Sequence, residues 1–238
     1  MNSKKFAGCV ALAGSAFLWA TAYVAVKQMV DEVQPGLLLA LRFSLAAIIL
    51  VILSVPRKRY FNRQALSAGV KMGVALFAEF FFFTVGLKYT TASKSSFIIA
   101  SYIILLPIAY YIIRKKAPTK SDIIASVVCM IGLLFIFGNG LNGFNIGDVL
   151  CIGSAISYAV HIVYSAQYAK KYDGMMLNTI QIATAAVLAV IVTLISLAMG
   201  LYQINWSIIP AGSIFYLALV CTIAPYFLCL LGMKYVSL

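Results

Sequence analysis

Among the ionisable side chains inside long apolar stretches, three stand out as functional candidates, because a charge there needs a partner or water. They are Glu79, Arg42 and His161. Glu79 directly precedes the run Phe80–Phe83, and such apolar surroundings favour the protonated form of a carboxyl group. We therefore predict that Glu79 exchanges protons and couples solute movement to a proton gradient. The alternative is a protonated Glu79 that only hydrogen-bonds to a neighbouring helix.

Arg42 could hold a substrate carboxylate, because its planar guanidinium group donates two parallel hydrogen bonds. Alternatively, it extends toward the end of its helix or pairs with Asp31 or Glu32 in the preceding loop. His161 is the single histidine of the chain, and no second ligand residue stands at metal-binding spacing from it. We expect a packed or hydrogen-bonded His161 and no metal site, although the ring could also contact a substrate.

Aromatic residues recur within the apolar stretches and could line a cavity that stacks on apolar or cationic solutes. They are Trp19, Tyr23, Tyr102, Tyr158 and Tyr226. Any one of them could instead face lipid or anchor the protein at the membrane interface. Pro107 and Pro225 remove backbone hydrogen bonds inside apolar segments, so we predict that they act as hinges.

The stretches that carry these residues belong to a membrane protein. Of the 238 residues, 63% are hydrophobic and 10% are charged, too few to cover a surface that faces water. Eight apolar segments each approach the ~20 residues that a helix needs to cross a bilayer. They span residues 6–27, 36–55, 66–87, 91–113, 121–138, 147–169, 177–200 and 208–233. Runs of this length without alternation argue against a β-barrel and predict an all-α polytopic membrane fold.

Lysine and arginine residues between the segments predict the orientation. One set of connections carries twelve of them, from Lys4 to Lys171, whereas the other set carries only Lys27, Lys88 and Lys94. Because cytoplasmic loops hold the excess, we expect a multi-pass protein of the inner or plasma membrane with a cytoplasmic N-terminus. The net charge of +12 then reflects orientation. Nucleic-acid binding would need a basic face on a water-soluble surface.

The two halves of the chain resemble each other. The aligned stretches are Gly14–Ala20 with Gly153–Ala159, Leu41–Ala47 with Ile180–Ala186 at the same offset, and Gly86–Thr91 with Gly232–Ser237 after a shift of seven residues. We therefore predict a five-helix repeat over residues 1–138 and a second copy, truncated after three helices, over residues 139–238. An odd number of helices inverts the second copy in the membrane, as in many secondary transporters. Gln181 is then the uncharged counterpart of Arg42, and we include it among the candidate substrate-binding residues.

Several short motifs are similar to those of the drug/metabolite transporter superfamily, and within it to EamA-type transporters. They are Trp19-Ala20 with Tyr23-Val24 and Lys27, Pro35 before Leu41-Arg42-Phe43, Gly86 with Thr91-Ala92-Ser93, Pro107, and Gly132. The resemblance covers essentially the whole chain. It implies ten helices, cytoplasmic termini and export of amino acids, related metabolites or toxic compounds. Two departures stand out. Arg114–Lys116 occupy the place of a usual Glu, and the counterparts of the last two helices are missing before Leu238, as in a fragment or a shorter protein.

These features predict a secondary transporter that exports small organic metabolites, such as amino acids or drug-like compounds, by alternating access between inverted repeats. The alternatives are a passive channel, a non-transporting membrane subunit and an intramembrane enzyme. The enzyme is the weakest of these, because neither a Gly-x-Ser-x-Gly nor a His-Glu-x-x-His motif occurs, and without a P-loop ATP is not the driver. The predicted partners are a small-molecule substrate, the lipid bilayer and protons, without a cofactor or nucleic acid. The oligomeric state stays open.

Overall fold

A computed structural model describes residues 3–137, 143–204 and 210–235, and within these ranges the chain is helical and contains no strand. The helices are α1 (Ser3–Met29), α2 (Pro35–Ser54), α3 (Arg63–Tyr89), α4 (Ala92–Ala100), α5 (Tyr102–Arg114), α6 (Lys120–Phe137), α7 (Ile146–Tyr168), α8 (Gly174–Ala198), α9 (Ala211–Ala218) and α10 (Ala224–Tyr235). A 3₁₀ turn, Val55–Tyr60, follows α2, and a π-helical segment, Leu219–Ile223, joins α9 to α10. The predicted all-α fold is confirmed.

The predicted membrane spans correspond to these helices. Seven helical stretches of the described residues are long and apolar enough to cross a bilayer: Ser3–Met29, Pro35–Arg57, Arg63–Tyr89, Ala92–Arg114, Ile146–Tyr168, Gly174–Ala198 and Ala211–Tyr235. The remaining predicted span, residues 121–138, coincides with α6 except for Gly138, which lies outside the described residues. Large apolar side chains such as Phe17 and Phe135 are 73% and 87% exposed, as a surface in contact with lipid requires.

Side chains beside the helix ends satisfy backbone groups that the helices cannot pair themselves. Pro35 begins α2, where its missing N–H costs nothing, and Gln34 Oε1 accepts a hydrogen bond from the N–H of Gly36 at 2.8 Å. At the start of α8, Asp173 Oδ1 accepts from the N–H of Met176 at 3.0 Å. These caps fix where the apolar segments become helical.

Two predicted spans are not continuous α-helices. The span over residues 91–113 is divided at Ser101, whose hydroxyl group donates to the carbonyl oxygen of Ile98 at 2.5 Å. Such local side-chain bonds compete with the helical backbone ladder. The predicted hinge Pro107 lies farther along, inside α5. The span over residues 208–233 is interrupted by the π-helical segment, which ends immediately before α10 and its second residue, Pro225.

The helices form two compact units. The first comprises Met1–Phe77 and Tyr164–Leu238, where α2 packs along α8 and α1 packs along α10. The second comprises Ala78–Val163, where α6 packs against α4 and α5. The predicted repeat boundary between residues 138 and 139 lies outside the described residues. It stays a prediction, because compactness in space does not report a duplication in the sequence.

Candidate functional site

Arg42 is fully buried in the first unit and bonds to the π-helical segment. Its Nε donates to Thr222 Oγ1 at 2.6 Å, and its Nη2 donates to the carbonyl oxygen of Cys221 at 2.7 Å. These two nitrogens form one of the edges with which a guanidinium group binds a carboxylate. In this conformation that edge therefore joins α2 to the segment between α9 and α10. We call Arg42, Cys221 and Thr222 the Arg42 cluster.

The backbone around Pro225 explains why the Arg42 cluster forms. Proline has no N–H, so the carbonyl oxygen of Cys221, four residues earlier, lacks its usual helical donor. Arg42 Nη2 takes that place. The wide helical turn is completed by the N–H of Ala224, which donates five residues back to Leu219, and by the Thr222 hydroxyl group, which donates to Leu217 at 2.7 Å. π-helical turns occur frequently at functional sites.

Two of the predicted aromatic residues meet in the first unit. Trp19 on α1 and Tyr226 on α10 pack edge to face with ring centroids 5.0 Å apart, and Tyr226 is 1% exposed. Tyr23, one helical turn after Trp19, is half-buried on the same face of α1. Thr21, two residues after Trp19, contacts the Arg42 cluster, because its Oγ1 lies 3.6 Å from Cys221 Sγ. Aromatic and polar groups are thus combined within one compact unit.

Gln181, the predicted counterpart of Arg42, is fully buried on α8. Its Nε2 donates to Asn178 Oδ1 at 2.9 Å, one turn earlier on the same helix. Asn178 is also fully buried and did not stand out in the sequence, because a single amide within an apolar run carries no charge pattern. The pair gives α8 two buried polar side chains of the kind that hydrogen-bond between membrane helices.

The other predicted site residues lie in the second unit. Tyr102 and Tyr158 pack edge to face at 4.5 Å, and Tyr158 stacks on His161 at 6.4 Å between ring centroids. His161 is 1% exposed, as expected for a packed histidine. Glu79 is half-buried on α3, and its backbone carbonyl oxygen accepts a hydrogen bond from Ser154 Oγ on α7 at 3.0 Å. In the described part of the chain, no three His, Cys, Asp or Glu side chains are grouped as metal ligands.

A buried ion pair in the second unit was not predicted from the sequence. Lys94 Nζ lies 2.7 Å from Asp148 Oδ2, and the two side chains are 8% and 0% exposed. Thr90 Oγ1 and the N–H of Asn145 also donate to this carboxylate, at 3.1 and 2.9 Å, and Lys94 donates to the carbonyl oxygen of Gly143. Asn145 and Asp148 cap α7 by bonding to each other's backbone N–H groups. Their three-residue spacing, typical of such caps, is visible in the sequence. Lys94 thus forms a buried ion pair, whereas the predicted orientation counts it among the cations of the loops.

Glycine residues bring two helix pairs into backbone contact. A Cβ atom on Gly232 of α10 would lie 2.9 Å from the carbonyl oxygen of Gly8 on α1. In the second unit, a Cβ atom on Gly147 of α7 would lie 2.7 Å from the carbonyl oxygen of Gly86 on α3. Since real Cβ atoms do not come so close to a carbonyl oxygen, larger residues are excluded at both places.

These two contacts follow the numbering of the predicted repeat. Gly8 and Gly147 are 139 positions apart, and Gly86 and Gly232 are 146 positions apart, the same offsets that align the two halves of the sequence. A second pair of contacts obeys the same offsets: Gly14 with Leu228, and Gly153 with Phe82. The packing of α1 against α10 in one unit thus has residue-by-residue counterparts in the packing of α7 against α3 in the other.

Apolar helices of membrane-spanning length, lipid-type surfaces and polar groups buried within the spans define a multi-pass α-helical membrane protein. The sequence profile of the EamA-like transporter family matches residues 6–138, and the chain belongs to this family. This confirms the resemblance to the drug/metabolite transporter superfamily that the sequence motifs indicated.

Curated relatives and a solved structure agree with this assignment. An uncharacterized transporter of Archaeoglobus fulgidus is 29% identical over 174 residues, which are 73% of this chain and 54% of that protein. The uncharacterized transporter YdfC of Bacillus subtilis is 26% identical over 214 residues, 88% of this chain and 69% of that protein. The aligned part of this chain thus spans about half of the archaeal relative. A crystal structure at 16% identity aligns with a TM-score of 0.69 over 99% of this chain and 80% of that one, and it shares the fold.

Proposed function

We propose that this protein is a secondary transporter that moves small organic metabolites, such as amino acids or drug-like compounds, out of the cell. The observation that carries the proposal is the pair of equivalent glycine contacts, Gly8 with Gly232 and Gly147 with Gly86. A duplicated helix pair is what alternating access between two inverted repeats requires. We take residues 1–138 and 139–238 as these repeats, and membership of the EamA-like transporter family supports the same reading.

The substrate would contact the aromatic and polar side chains that the spans bury. We assign this role to Trp19, Tyr23 and Tyr226 in the first unit, and to Tyr102, Tyr158 and His161 in the second. The edge-to-face pairs Trp19–Tyr226 and Tyr102–Tyr158 offer ring faces to apolar or cationic solutes. Gln181 would contribute an amide group.

Arg42 would act mainly by holding the helices that carry these rings. Its hydrogen bonds to Thr222 and Cys221 fix α2 against the π-helical segment, beside the hinge proposed at Pro225. A substrate carboxylate that competes for the same guanidinium edge would release this segment. Binding and a change in helix geometry would then be coupled through one side chain, as a population shift requires.

Counterflow in proteoliposomes tests the transporter against a passive channel. Vesicles that contain the purified protein are loaded with an unlabelled amino-acid mixture and diluted into a trace of the same labelled amino acids. A carrier accumulates label transiently above its equilibrium level, because exchange precedes the loss of the internal pool. A channel only equilibrates the label, and protein-free vesicles give the background. Equilibration without an overshoot for every solute tried, with protein of native far-UV circular dichroism, contradicts the proposal.

Proton coupling through Glu79 is the second part of the proposal. An imposed pH gradient should drive solute uptake by the native protein, whereas Glu79→Gln should retain counterflow and lose the response to the gradient. Counterflow needs no net proton movement, so it separates coupling from folding and substrate binding. Glu79→Asp keeps a titratable group and should retain part of the response. An unchanged response of the Gln variant refutes the role of Glu79.

The cellular placement completes the proposal: the inner or plasma membrane, with the N-terminus in the cytoplasm. The excess of lysine and arginine in one set of connections supports this orientation. Single cysteines introduced near Lys4 and near Lys27, in a background without the five native cysteines, should react with a membrane-impermeant maleimide from opposite sides. Labelling of both positions from outside intact cells rejects the assignment.

A further inference from the structure

An apolar groove opens on the surface of the first unit, between the end of α2, the start of α3 and the middle of α8. Its volume is about 560 Å³. Met176, Thr179 and Ile180 form a buried floor, whereas Val51, Val55 and Phe61 form walls that are 50%, 60% and 53% exposed. We call this cavity the α2–α8 groove. Its size falls within the 300–1,000 Å³ that is usual for small-molecule sites.

Basic residues stand next to lining residues of the α2–α8 groove along the chain. The stretch of residues 55–66 contributes lining residues at both ends, and between them it carries four Lys or Arg residues and no Asp or Glu. Arg63 precedes the lining residue Leu66 by one helical turn, so the two share a face of α3. Arg59 donates to Tyr60 Oη at 2.8 Å, and its guanidinium group lies 4.8 Å from that ring. Both arginines are exposed.

Another arginine of this stretch already has a partner. Arg57 pairs with Asp173 at 2.9 Å, and this carboxylate also caps α8. Both described hydrogen bonds of the Asp173 carboxylate thus go to groups other than Arg59 and Arg63. Among the described side chains, Arg59 and Arg63 make no ion pair, and they belong to the stretch that contributes apolar lining residues to the groove.

We propose that the α2–α8 groove binds one anionic phospholipid, with an acyl chain in the groove and the phosphate group between Arg59 and Arg63. A soluble anion would satisfy the arginines and leave the apolar walls without a partner. A zwitterionic lipid would fill the groove and bring its own cation to the arginines. An anionic lipid satisfies both the arginines and the apolar walls, because one molecule carries a negatively charged headgroup and an acyl chain. Arginine also binds phosphate oxygens through paired N–H donors.

The role of the two arginines is tested on the full chain, purified in detergent. The protein is titrated with phosphatidylglycerol or with phosphatidylcholine of identical acyl chains, and bound lipid is counted by native mass spectrometry. The native protein should retain phosphatidylglycerol in preference. Each basic residue at a membrane surface contributes about fivefold to such binding, so Arg59→Gln with Arg63→Gln should weaken it about 25-fold. The control Lys115→Gln with Lys116→Gln removes the same charge from exposed residues of the second unit and should leave binding unchanged. Equal losses in the two double variants overturn the proposal.

The apolar side is tested by filling the groove. Ala183 lines the groove on α8, and Ala183→Trp should exclude the acyl chain and abolish the preference for phosphatidylglycerol. Val190, exposed on the same helix and outside the groove, provides the control Val190→Trp, which should bind lipid normally. Retention by Ala183→Trp at the native level overturns the proposal, as does displacement of the lipid by glycerol phosphate alone. The arginine variants change exposed side chains only, so they decide the question even if Ala183→Trp does not fold.

Discussion

The buried ion pair between Lys94 and Asp148 allows a quantitative prediction, because the molecule contains an exposed pair of nearly the same length. The Lys94–Asp148 distance is 2.7 Å with exposures of 8% and 0%, and the Arg57–Asp173 distance is 2.9 Å with exposures of 49% and 18%. The direct attraction at these two distances is similar, so burial decides the difference. Removing one partner of a buried pair costs about 3–5 kcal/mol, since a desolvated charge is left behind. An exposed pair contributes about 0–1 kcal/mol.

We therefore expect that Lys94→Met or Asp148→Asn alone destabilises the protein by about 3 kcal/mol or more. The double variant should regain most of this loss, because neither charge remains. The matched cycle, Arg57→Met and Asp173→Asn, should give a coupling energy below about 1 kcal/mol. Asparagine at position 173 can still cap α8, so the control isolates the charge.

The assay is reversible unfolding of the full chain in mixed micelles, titrated with sodium dodecyl sulfate and followed by far-UV circular dichroism. The two double-mutant cycles are measured under identical conditions, so that differences in the detergent-unfolded state cancel. Equal coupling energies in the two cycles would refute the reasoning, because burial would then have no effect on the strength of the pair. Single variants that unfold like the native protein would refute it as well.

Three further predictions concern backbone contacts and the Arg42 cluster. Gly147→Ala should destabilise the protein by about 1–3 kcal/mol, because its Cβ atom would meet the carbonyl oxygen of Gly86. The control Gly132→Ala, which has open space around it, should leave stability unchanged. Equal unfolding midpoints of the two variants would contradict this prediction. Arg42→Lys should lower stability by about 1–3 kcal/mol in the same titration, because one ammonium group cannot donate to both Thr222 and Cys221 as the guanidinium group does. Full stability of this variant would argue against the Arg42 cluster. Pro225→Ala restores an N–H for the Cys221 carbonyl oxygen, so Arg42→Lys should cost less in that background, and strictly additive effects would exclude this coupling.

The helices could be predicted from the sequence because membrane spans depend on length and hydropathy, which are local properties. The predicted segment 147–169 corresponds to α7, Ile146–Tyr168, and the segment 36–55 corresponds to α2, Pro35–Ser54. The interruptions were predicted only in part. Pro225 was singled out as a hinge and lies next to the π-helical segment, whereas the break at Ser101 was not predicted, because a serine inside an apolar run does not by itself indicate that its hydroxyl group bonds to the backbone.

The site was predicted in its residue types and not in its contacts. Trp19 and Tyr226 were chosen independently as aromatic residues within spans, and they prove to be in contact. The partners of Arg42 were expected in the preceding loop, whereas the described hydrogen bonds reach residues about 180 positions away. Asp148 was overlooked because its position at the start of a span resembles an ordinary loop acid. Pairings between distant parts of a chain require the tertiary structure.

The π-helical segment also constrains how this chain could change in length. A regular α-helix turns by about 100° per residue, and a π-helical turn accommodates one residue more than an α-helical turn. Deleting one residue from Leu219–Ile223 would leave an ordinary α-helical turn, apart from the hydrogen bond that Pro225 cannot donate. Because the shortened turn would cover nearly the same rotation, Gly232 would still face Gly8 and Tyr226 would still pack against Trp19. A deletion inside α10 ahead of Gly232, in contrast, would rotate Gly232 away from Gly8 by about 100°. The wide turn thus holds one extra residue without changing the rotational phase of the last helix, and a deletion there would disturb the packing less than a deletion inside α10.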